Sequence, residues 1–188
     1  MKKVAVIGAG TMGHCIAMIF AQAGCQVELN DTSDEALERA KGLILANLET
    51  QAQAGLFDLD QRSSVLGRIH CTTDLDKAAA DAELVLEAVF ERADIKEEIF
   101  KRLDKAAPPG AILASNTSYL DIYKFVKTGR PDKVIIAHWF APPPYRPLGG
   151  DRARTRNVRG NHNRHQGHPG KTGQGNHSVE KIFARLYH

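Results

Sequence analysis

Three glycines near the start of the chain have the spacing of a dinucleotide-binding turn. Gly8, Gly10 and Gly13 follow an apolar run and precede a stretch with helical apolar spacing. In this order of strand, tight turn and helix, Gly8 makes the turn and Gly10 lets backbone N–H groups approach a pyrophosphate. Gly13 lets the helix lie close on the strand, with its N-terminus facing the phosphates. The alternative to a nucleotide-binding role is a purely structural glycine-rich turn that binds no ligand.

A carboxylate at the end of the next apolar run identifies the cofactor. Asp31 closes the run of residues 27–30 and lies eighteen residues after Gly13. A carboxylate at that place binds a ribose 2′-hydroxyl and repels a 2′-phosphate, so we expect NAD rather than NADP. The residues between the glycines, Ala9, Thr11 and Met12, are assigned to the cofactor site with them.

Alternating apolar runs and helical patterns must position these residues. We expect strands over 4–7, 27–30, 69–72, 84–89, 111–114 and 134–137, with helices over about 11–23, 32–54, 58–66, 74–79, 94–103 and 121–126. This alternation predicts an α/β domain of the Rossmann type, a doubly wound and mainly parallel sheet. Ligands bind at the carboxyl ends of such strands, where Gly8, Glu91, Asn116 and His138 should converge.

Composition limits the other classes of function. Apolar residues make up 43% of the chain, enough for a core, and no run approaches the length of a membrane span. Residues 1–3 lead straight into the first strand, so we expect no signal peptide. Cys15, Cys25 and Cys71 lack metal-type spacing and predict reduced, mostly buried thiols in a cytoplasmic protein without a metal site.

Four local patterns, in their order and spacing over residues 1–143, resemble the NAD-binding domain of the 3-hydroxyacyl-CoA dehydrogenases. The glycine motif alone is generic, and a serine-asparagine motif about twenty residues before a histidine is far more specific. The patterns are Gly8-Ala9-Gly10-Thr11-Met12-Gly13, Glu87-Ala88-Val89-Phe90-Glu91, Ala114-Ser115-Asn116-Thr117-Ser118 and His138-Trp139-Phe140.

The resemblance implies a role for each matched residue. Glu91 and Lys96 align with residues that contact the nicotinamide nucleotide, and Asn116 belongs to the matched cofactor site. Ser118 aligns with a serine that hydrogen-bonds the substrate's 3-oxygen near the nicotinamide. His138 aligns with the general base that removes the 3-hydroxyl proton while hydride leaves C3 for NAD. That role suits imidazole, which accepts and returns a proton near neutral pH.

Each residue also has a purely structural interpretation. His138 could be a strand-end histidine bonded to backbone, Ser118 a helix cap, and Glu91 with Lys96 a solvated pair of charges. Two positions depart from the family: Ala141 replaces an asparagine, and Gly150 stands where a glutamate orients the histidine.

Residues 144–188 differ from the rest of the chain. They hold nine Lys/Arg against two Asp/Glu, whereas residues 1–143 hold sixteen against twenty. Their pattern fits neither helix nor strand, and we expect an irregular or disordered basic tail rich in Gly, His and Arg. The histidines of the tail lack the cysteines or regular helix of a tetrahedral metal site, and its arginines lack a platform for nucleic acid.

A shift of reading frame explains the tail. With suitable synonymous codons, residues 144–152 read one base later give His-Ile-Val-Pro-Leu-Val-Glu-Ile, which restores the family's strand and its glutamate. The same shift turns residues 158–170 into an amphipathic helix pattern. Our hypothesis is that one extra base in the codons of residues 142–144 put residues 144–188 out of frame.

The implied function is NAD-linked oxidation of a 3-hydroxyacyl-CoA to the 3-ketoacyl-CoA, or the reverse, in a truncated and impaired form. The expected partner is an acyl-CoA such as 3-hydroxybutyryl-CoA, and neither nucleic acid nor membrane. In the family, a second helical domain completes the acyl site and makes the dimer, and it has no counterpart here. Two alternatives stay open: a β-hydroxyacid dehydrogenase-like protein, and a non-catalytic NAD-binding module with a basic interaction arm.

Overall fold

The structure, a computed structural model, describes residues 2–139 as six strands, five α-helices and short 3-10 turns. The strands are β1 (Lys3–Ile7), β2 (Gln26–Asn30), β3 (Ile69–Thr72), β4 (Leu84–Glu87), β5 (Ile112–Ser115) and β6 (Val134–Ile136). The helices are α1 (Gly13–Gln22), α2 (Asp34–Gln53), α3 (Arg62–Leu66), α4 (Leu75–Ala79) and α5 (Ala93–Ala106). The predicted tail at 144–188, with Ala141 and Gly150, lies outside the described residues.

All six strands are parallel, in the order β3-β2-β1-β4-β5-β6. The chain builds outward from β1 to β3 and then crosses back to place β4 on the other side of β1. The strand order therefore reverses between β1 and β4, and ligands of such sheets bind in the crevice beyond the carboxyl ends at that point. The predicted Rossmann-type α/β fold is confirmed.

The core lies on both faces of the sheet because alternate residues of β1 point to opposite faces. Val4 and Val6 pack with residues of α1 and α2, whereas Ala5 and Ile7 pack with residues of α4 and α5. All residues of β4 and β5 are buried, as expected for strands covered on two faces. The continuous apolar runs of the sequence are therefore the central strands.

Local signals set most of the helix ends. The Ser33 hydroxyl accepts a hydrogen bond from the Ala36 N–H at 3.2 Å and caps α2. Gly24 follows α1 with a φ of 87° and lets the chain reverse into β2. No helix within residues 2–139 is long and apolar enough to cross a membrane.

Several boundaries differ from the sequence predictions, among them the end of α5, which lies at Ala106 rather than at residue 103. The helix α1 begins at Gly13 rather than near residue 11, because the preceding residues complete the glycine turn. The strand β4 ends at Glu87 rather than at residue 89, because the Val89 N–H donates to Glu87 Oε1 at 2.8 Å. The segment 121–126, expected as a helix, contains only the 3-10 turn Ile122–Lys124.

Candidate functional site

The glycine turn joins β1 to α1 and needs glycine at two positions. Gly8 has a φ of 101°, and a Cβ there would lie 2.7 Å from the Ala88 carbonyl oxygen. At Gly13 a Cβ would lie 1.7 Å from the Gly8 carbonyl oxygen. At Gly10 a Cβ would meet nothing within 4 Å, so this part of the turn faces open space. The turn is thus packed against the sheet below and open above, where a pyrophosphate would lie.

Asp31 closes the turn from the neighbouring strand. Its Oδ2 accepts a hydrogen bond from the Ala9 N–H at 2.8 Å, and its Oδ1 accepts one from the Ser33 N–H at 3.3 Å. The predicted ribose-binding carboxylate therefore also links the turn to the end of β2. Its negative charge stands beside the crevice, as discrimination against a 2′-phosphate requires.

A buried histidine braces the turn from the helix side. His14 Nδ1 lies 2.8 Å from the Gly10 carbonyl oxygen, which only accepts, so Nδ1 is the donor. The other ring nitrogen, Nε2, lies 3.2 Å from Cys15 Sγ. Burial raises the pKa of the Cys15 thiol to about 11, although a hydrogen bond from Asn47 acts in the opposite direction. The thiol therefore stays protonated at neutral pH.

Ser118 and His138 meet at the carboxyl ends of β5 and β6. Ser118 Oγ lies 3.1 Å from His138 Nε2, and Ser118 is exposed to solvent. The strand end beside His138 is fixed on both sides. The Trp139 N–H donates to Asn116 Oδ1 at 2.9 Å, and the Trp139 ring meets Phe20 of α1 edge to face, with centroids 6.0 Å apart. A hydroxyl and an imidazole are thus held within reach of one small oxygen-bearing ligand.

Glu91 organises the segment that presents Ser118. One carboxylate oxygen, Oε1, accepts from the Ser118 N–H at 2.8 Å, from the Tyr119 N–H at 3.3 Å and from the Thr117 hydroxyl. Burial would raise the pKa of this carboxyl, but the three hydrogen bonds and the charge of Lys96 together hold it below its ordinary value. Glu91 is therefore a carboxylate at neutral pH.

A buried ionic cluster lies directly beneath. Lys96 Nζ is 2.6 Å from Glu87 Oε1 and 3.2 Å from Glu91 Oε2. The Ser115 hydroxyl donates to Glu87 Oε2 at 2.5 Å. Glu87, Lys96 and Ser115 are each fully buried. Two carboxylates and one ammonium thus lie together at the carboxyl end of β4, with the Glu91 side chain 24% exposed.

The structure brings most of the predicted residues to one edge. The glycine turn with Ala9, Thr11 and Met12, together with Asp31, lies beyond β1 and β2, whereas Glu91, Asn116, Ser118 and His138 lie beyond β4, β5 and β6. Lys96 does not lie on the surface. Its side chain is only 1% exposed and contacts the carboxylates of Glu87 and Glu91. The solvated-pair interpretation of Glu91 and Lys96 is therefore wrong.

Sequence reasoning gave Glu87, Ser115 and Thr117 no separate role. Their polar atoms connect Lys96 and Glu91 to the segment after β5. One signal was present, since a charged residue within an otherwise apolar strand must find a partner when buried. Its partner, Lys96, is nine residues away on α5, and the sequence pattern does not show that pairing.

No group of three or more His, Cys, Asp or Glu side chains within residues 2–139 is arranged to hold a metal ion. The tail histidines considered as ligands, His162, His165, His168 and His177, lie outside the described part of the chain.

Comparisons with known proteins find similar sequences and folds. Residues 3–149 match the family model described as 3-hydroxyacyl-CoA dehydrogenase, NAD binding domain. A probable 3-hydroxybutyryl-CoA dehydrogenase of Deinococcus radiodurans is 43% identical over 143 residues, which cover 76% of this chain and 51% of that protein. The chain spans about half the length of the bacterial 3-hydroxybutyryl-CoA dehydrogenases it matches.

Two solved structures extend the comparison to the fold. The 3-hydroxybutyryl-CoA dehydrogenase of Escherichia coli K12 superposes with a TM-score of 0.72 and 39% identity, over 77% of this chain and 30% of that chain. The (S)-3-hydroxybutyryl-CoA dehydrogenase PaaH1 of Ralstonia eutropha superposes with a TM-score of 0.79 and 27% identity, over 99% of this chain and 61% of that chain.

Proposed function

The chain belongs to the 3-hydroxyacyl-CoA dehydrogenase family, matched through that family's NAD-binding domain, and from this premise we propose that it serves the NAD-linked interconversion of a 3-hydroxyacyl-CoA and a 3-ketoacyl-CoA. The observation that supports the proposal best is the 3.1 Å contact between Ser118 Oγ and His138 Nε2, on the same sheet edge as the glycine turn. Relatives named 3-hydroxybutyryl-CoA dehydrogenase favour a short acyl chain.

The residues at the turn fit NAD on structural grounds. The close approaches at Gly8 and Gly13 leave room for no side chain below the turn, and the open side at Gly10 admits a phosphate next to the start of α1. Asp31 supplies the acceptor for a ribose hydroxyl. When bound, NAD supplies the hydride acceptor at the edge where Ser118 and His138 meet.

The side chains of the protein transfer the proton of the 3-hydroxyl and orient the 3-oxygen. In the direction of oxidation, the neutral imidazole of His138 accepts the proton of the 3-hydroxyl while hydride leaves C3. The Ser118 hydroxyl hydrogen-bonds the same oxygen and keeps it in line with the imidazole. In the reverse direction the imidazolium returns the proton to the 3-oxygen as hydride reaches C3.

A ligand comparison by NMR tests this function on the chain itself. NADH should shift the amide signals of Gly10 and Gly13. Acetoacetyl-CoA, added next, should shift the Ser118 amide and the His138 ring signals. Butyryl-CoA, which has the same four-carbon chain without the 3-oxygen, is the matched control and should leave those two residues nearly unchanged. Equal shifts from the two thioesters, or none from either, would contradict the proposal.

Turnover by the 188-residue chain alone should be slight. We expect NADH binding without a robust acetoacetyl-CoA-dependent loss of NADH absorbance at 340 nm. His138→Gln should reduce any measured rate by about 10²-fold or more, since general base catalysis contributes that much. Rapid oxidation of NADH, or a rate that His138→Gln leaves unchanged, would contradict these assignments.

We propose separately that residues 1–143 are the NAD-binding domain and that residues 144–188 are read out of frame. The family match ends at residue 149, and the aligned part of the relatives is 143 to 150 residues long. Sequencing the coding DNA tests this directly. A single-base deletion in the codons of residues 142–144 should restore His-Ile-Val-Pro-Leu-Val-Glu-Ile, and any other sequence there would refute the hypothesis.

A further inference from the structure

The cluster of Glu87, Lys96 and Glu91 carries a large desolvation cost for a group of core residues. Glu87 and Lys96 are 0% exposed, and removing such charges from water costs several kcal/mol per ion. An apolar pair of similar volume often stabilises a protein as well or better. The buried charges therefore point to a task beyond stability.

The hydrogen bonds of the cluster lead to the reacting pair. Glu87, at the end of β4, holds the Lys96 ammonium at 2.6 Å, and that ammonium holds Glu91 Oε2 at 3.2 Å. Glu91 Oε1 in turn receives the Ser118 N–H at 2.8 Å. The Ser118 hydroxyl meets His138 Nε2 at 3.1 Å. One continuous set of contacts thus connects a fully buried strand residue to the exposed site.

The two carboxylate oxygens of Glu91 have different partners. Its Oε2 faces Lys96, and its Oε1 receives the Thr117 hydroxyl and the backbone N–H groups of Ser118 and Tyr119. Three hydrogen bonds from the segment after β5 therefore converge on one carboxylate oxygen, and the other oxygen of the same carboxylate contacts the Lys96 ammonium.

We propose that Glu87 is a positioning residue: it anchors Lys96, Lys96 fixes Glu91, and Glu91 holds the Ser118 segment where its hydroxyl meets His138. Lys96 then acts on the site through Glu91 rather than by touching the nucleotide. The importance of this geometry rests on the proposed function, but the geometry itself is measurable without substrate.

The mechanism predicts what a neutral residue at position 87 does. In Glu87→Gln the ammonium of Lys96 keeps only Glu91 as a charged partner. The Glu91 carboxylate is then drawn toward Lys96 and away from the amides of Ser118 and Tyr119. Those two N–H groups lose a charge-assisted acceptor, and the Ser118 hydroxyl loses its fixed distance to His138.

Amide hydrogen exchange, followed residue by residue by NMR, is the test. In Glu87→Gln the Ser118 and Tyr119 amides should exchange about tenfold faster, the loss expected for one such hydrogen bond. The β5 amide of Leu113 reports global opening and serves as the internal reference. Glu98→Gln, on the exposed side of α5, is the matched control and should change neither site amide.

A merely structural role predicts another result. Leu103→Ala creates a cavity in the core and leaves all three charges of the cluster in place. If the cluster served only stability, Glu87→Gln and Leu103→Ala would accelerate the Ser118 and Leu113 amides in the same ratio, and that result would overturn the proposal. Should Glu87→Gln fail to fold, Ser115→Ala removes one hydrogen bond to Glu87 and keeps all three charges. It should show the same selective acceleration, smaller in size.

A second measurement follows the contact between the Ser118 hydroxyl and the His138 ring. The His138 ring signals should shift in Glu87→Gln and return toward the wild-type position in Glu87→Asp, which restores the charge. Failure of the proposed function would appear as identical responses to acetoacetyl-CoA and butyryl-CoA. Failure of the positioning proposal would appear as unaltered Ser118 exchange, so the two failures are distinguishable.

Discussion

The two halves of the sheet edge are held together by different means. Beyond β1 and β2, the glycine turn is fixed by backbone geometry: a positive φ at Gly8, the close approach of Gly13, and one carboxylate, Asp31, on an N–H. Beyond β4, β5 and β6, the site is fixed by side chains. There Glu87 and Glu91 contact partners two to twenty-eight residues away in the chain.

This difference matters for how each half tolerates change. The glycine turn is disrupted when a side chain is added, because the new Cβ would overlap a backbone carbonyl group that cannot move away. A buried ionic cluster fails when a charge is removed, because the remaining charges lose their partners in a medium that solvates them poorly. Each half should therefore be broken by a different kind of substitution.

The largest effect is expected at Gly13. In Gly13→Ala the new Cβ would lie 1.7 Å from the Gly8 carbonyl oxygen, so α1 must move off the sheet. We expect a loss of about 4 kcal/mol or more in the free energy of unfolding, measured by urea, and no detectable NADH binding. Gly42→Ala, on the exposed face of α2, is the control. It should stabilise the protein by up to about 1 kcal/mol.

The contrast also explains what the sequence could predict. The glycine spacing, the apolar runs and Asp31 are local patterns, and they predicted the fold, the turn and the choice of NAD. The end of β4 depended on a side-chain contact to backbone, the start of α1 depended on the length of the glycine turn, and each was missed by about two residues. Both features are local in space, but a propensity pattern contains no information about them.

In the other half of the site, the strand pattern predicted only that Glu91, Asn116 and His138 share one sheet edge, and the role of Ser118 came through the family resemblance. Ser118 and His138 are twenty residues apart, and their 3.1 Å contact depends on the neighbouring places of β5 and β6 in the sheet. The burial of Lys96 was not predicted at all. Its charge suggests a solvated face, and only the pairing with Glu87 makes the buried position possible.

The second largest effect is expected at Lys96. Lys96→Met leaves Glu87 buried without its cation, which should cost about 3–5 kcal/mol in the free energy of unfolding measured by urea. Lys124→Met removes the ammonium of an exposed pair with Asp121 and should cost less than about 1 kcal/mol. Similar losses in the two variants would show that the buried cluster is no different from a surface pair.

A double variant sharpens this result. Glu87→Leu combined with Lys96→Met replaces the buried pair by apolar groups, so much of the lost stability should return. The Ser118 amide should nevertheless stay rapidly exchanging, because Glu91 is still without Lys96. Recovery of both properties would mean that any well-packed pair at these positions supports the site.

A smaller effect is expected at Asp31, on the backbone-built half. Asp31→Asn keeps an acceptor for the Ala9 N–H and removes the negative charge, so the turn should stay folded. The preference for NADH over NADPH should fall by about tenfold, which is 1.4 kcal/mol, when both are titrated by fluorescence. Asp34→Asn, in the exposed first turn of α2, should leave the preference unchanged.

The smallest effect concerns the acid dependence of stability at Glu91. Hydrogen bonds from Thr117, Ser118 and Tyr119, with the charge of Lys96, outweigh burial and keep the pKa of Glu91 below its ordinary value of 4.5. A carboxyl whose folded pKa is lowered stabilises the fold above its unfolded pKa, and that contribution disappears as pH falls through the folded pKa. Glu91→Gln should therefore destabilise the protein at pH 6, and the loss should shrink progressively as pH falls below 4.5, measured by urea unfolding over that range.

The Glu91 variant also decides between the two kinds of construction. Glu98→Gln controls for the loss of a carboxylate on α5, and the pH-dependent part of the loss should be seen only in Glu91→Gln. If the site is held by side chains, the same variant should speed exchange at Ser118 and leave the Gly10 and Gly13 amides as they are. Faster amide exchange in both halves would show that the glycine turn depends on the ionic cluster for its stability. The two halves of the sheet edge would then form one cooperative unit.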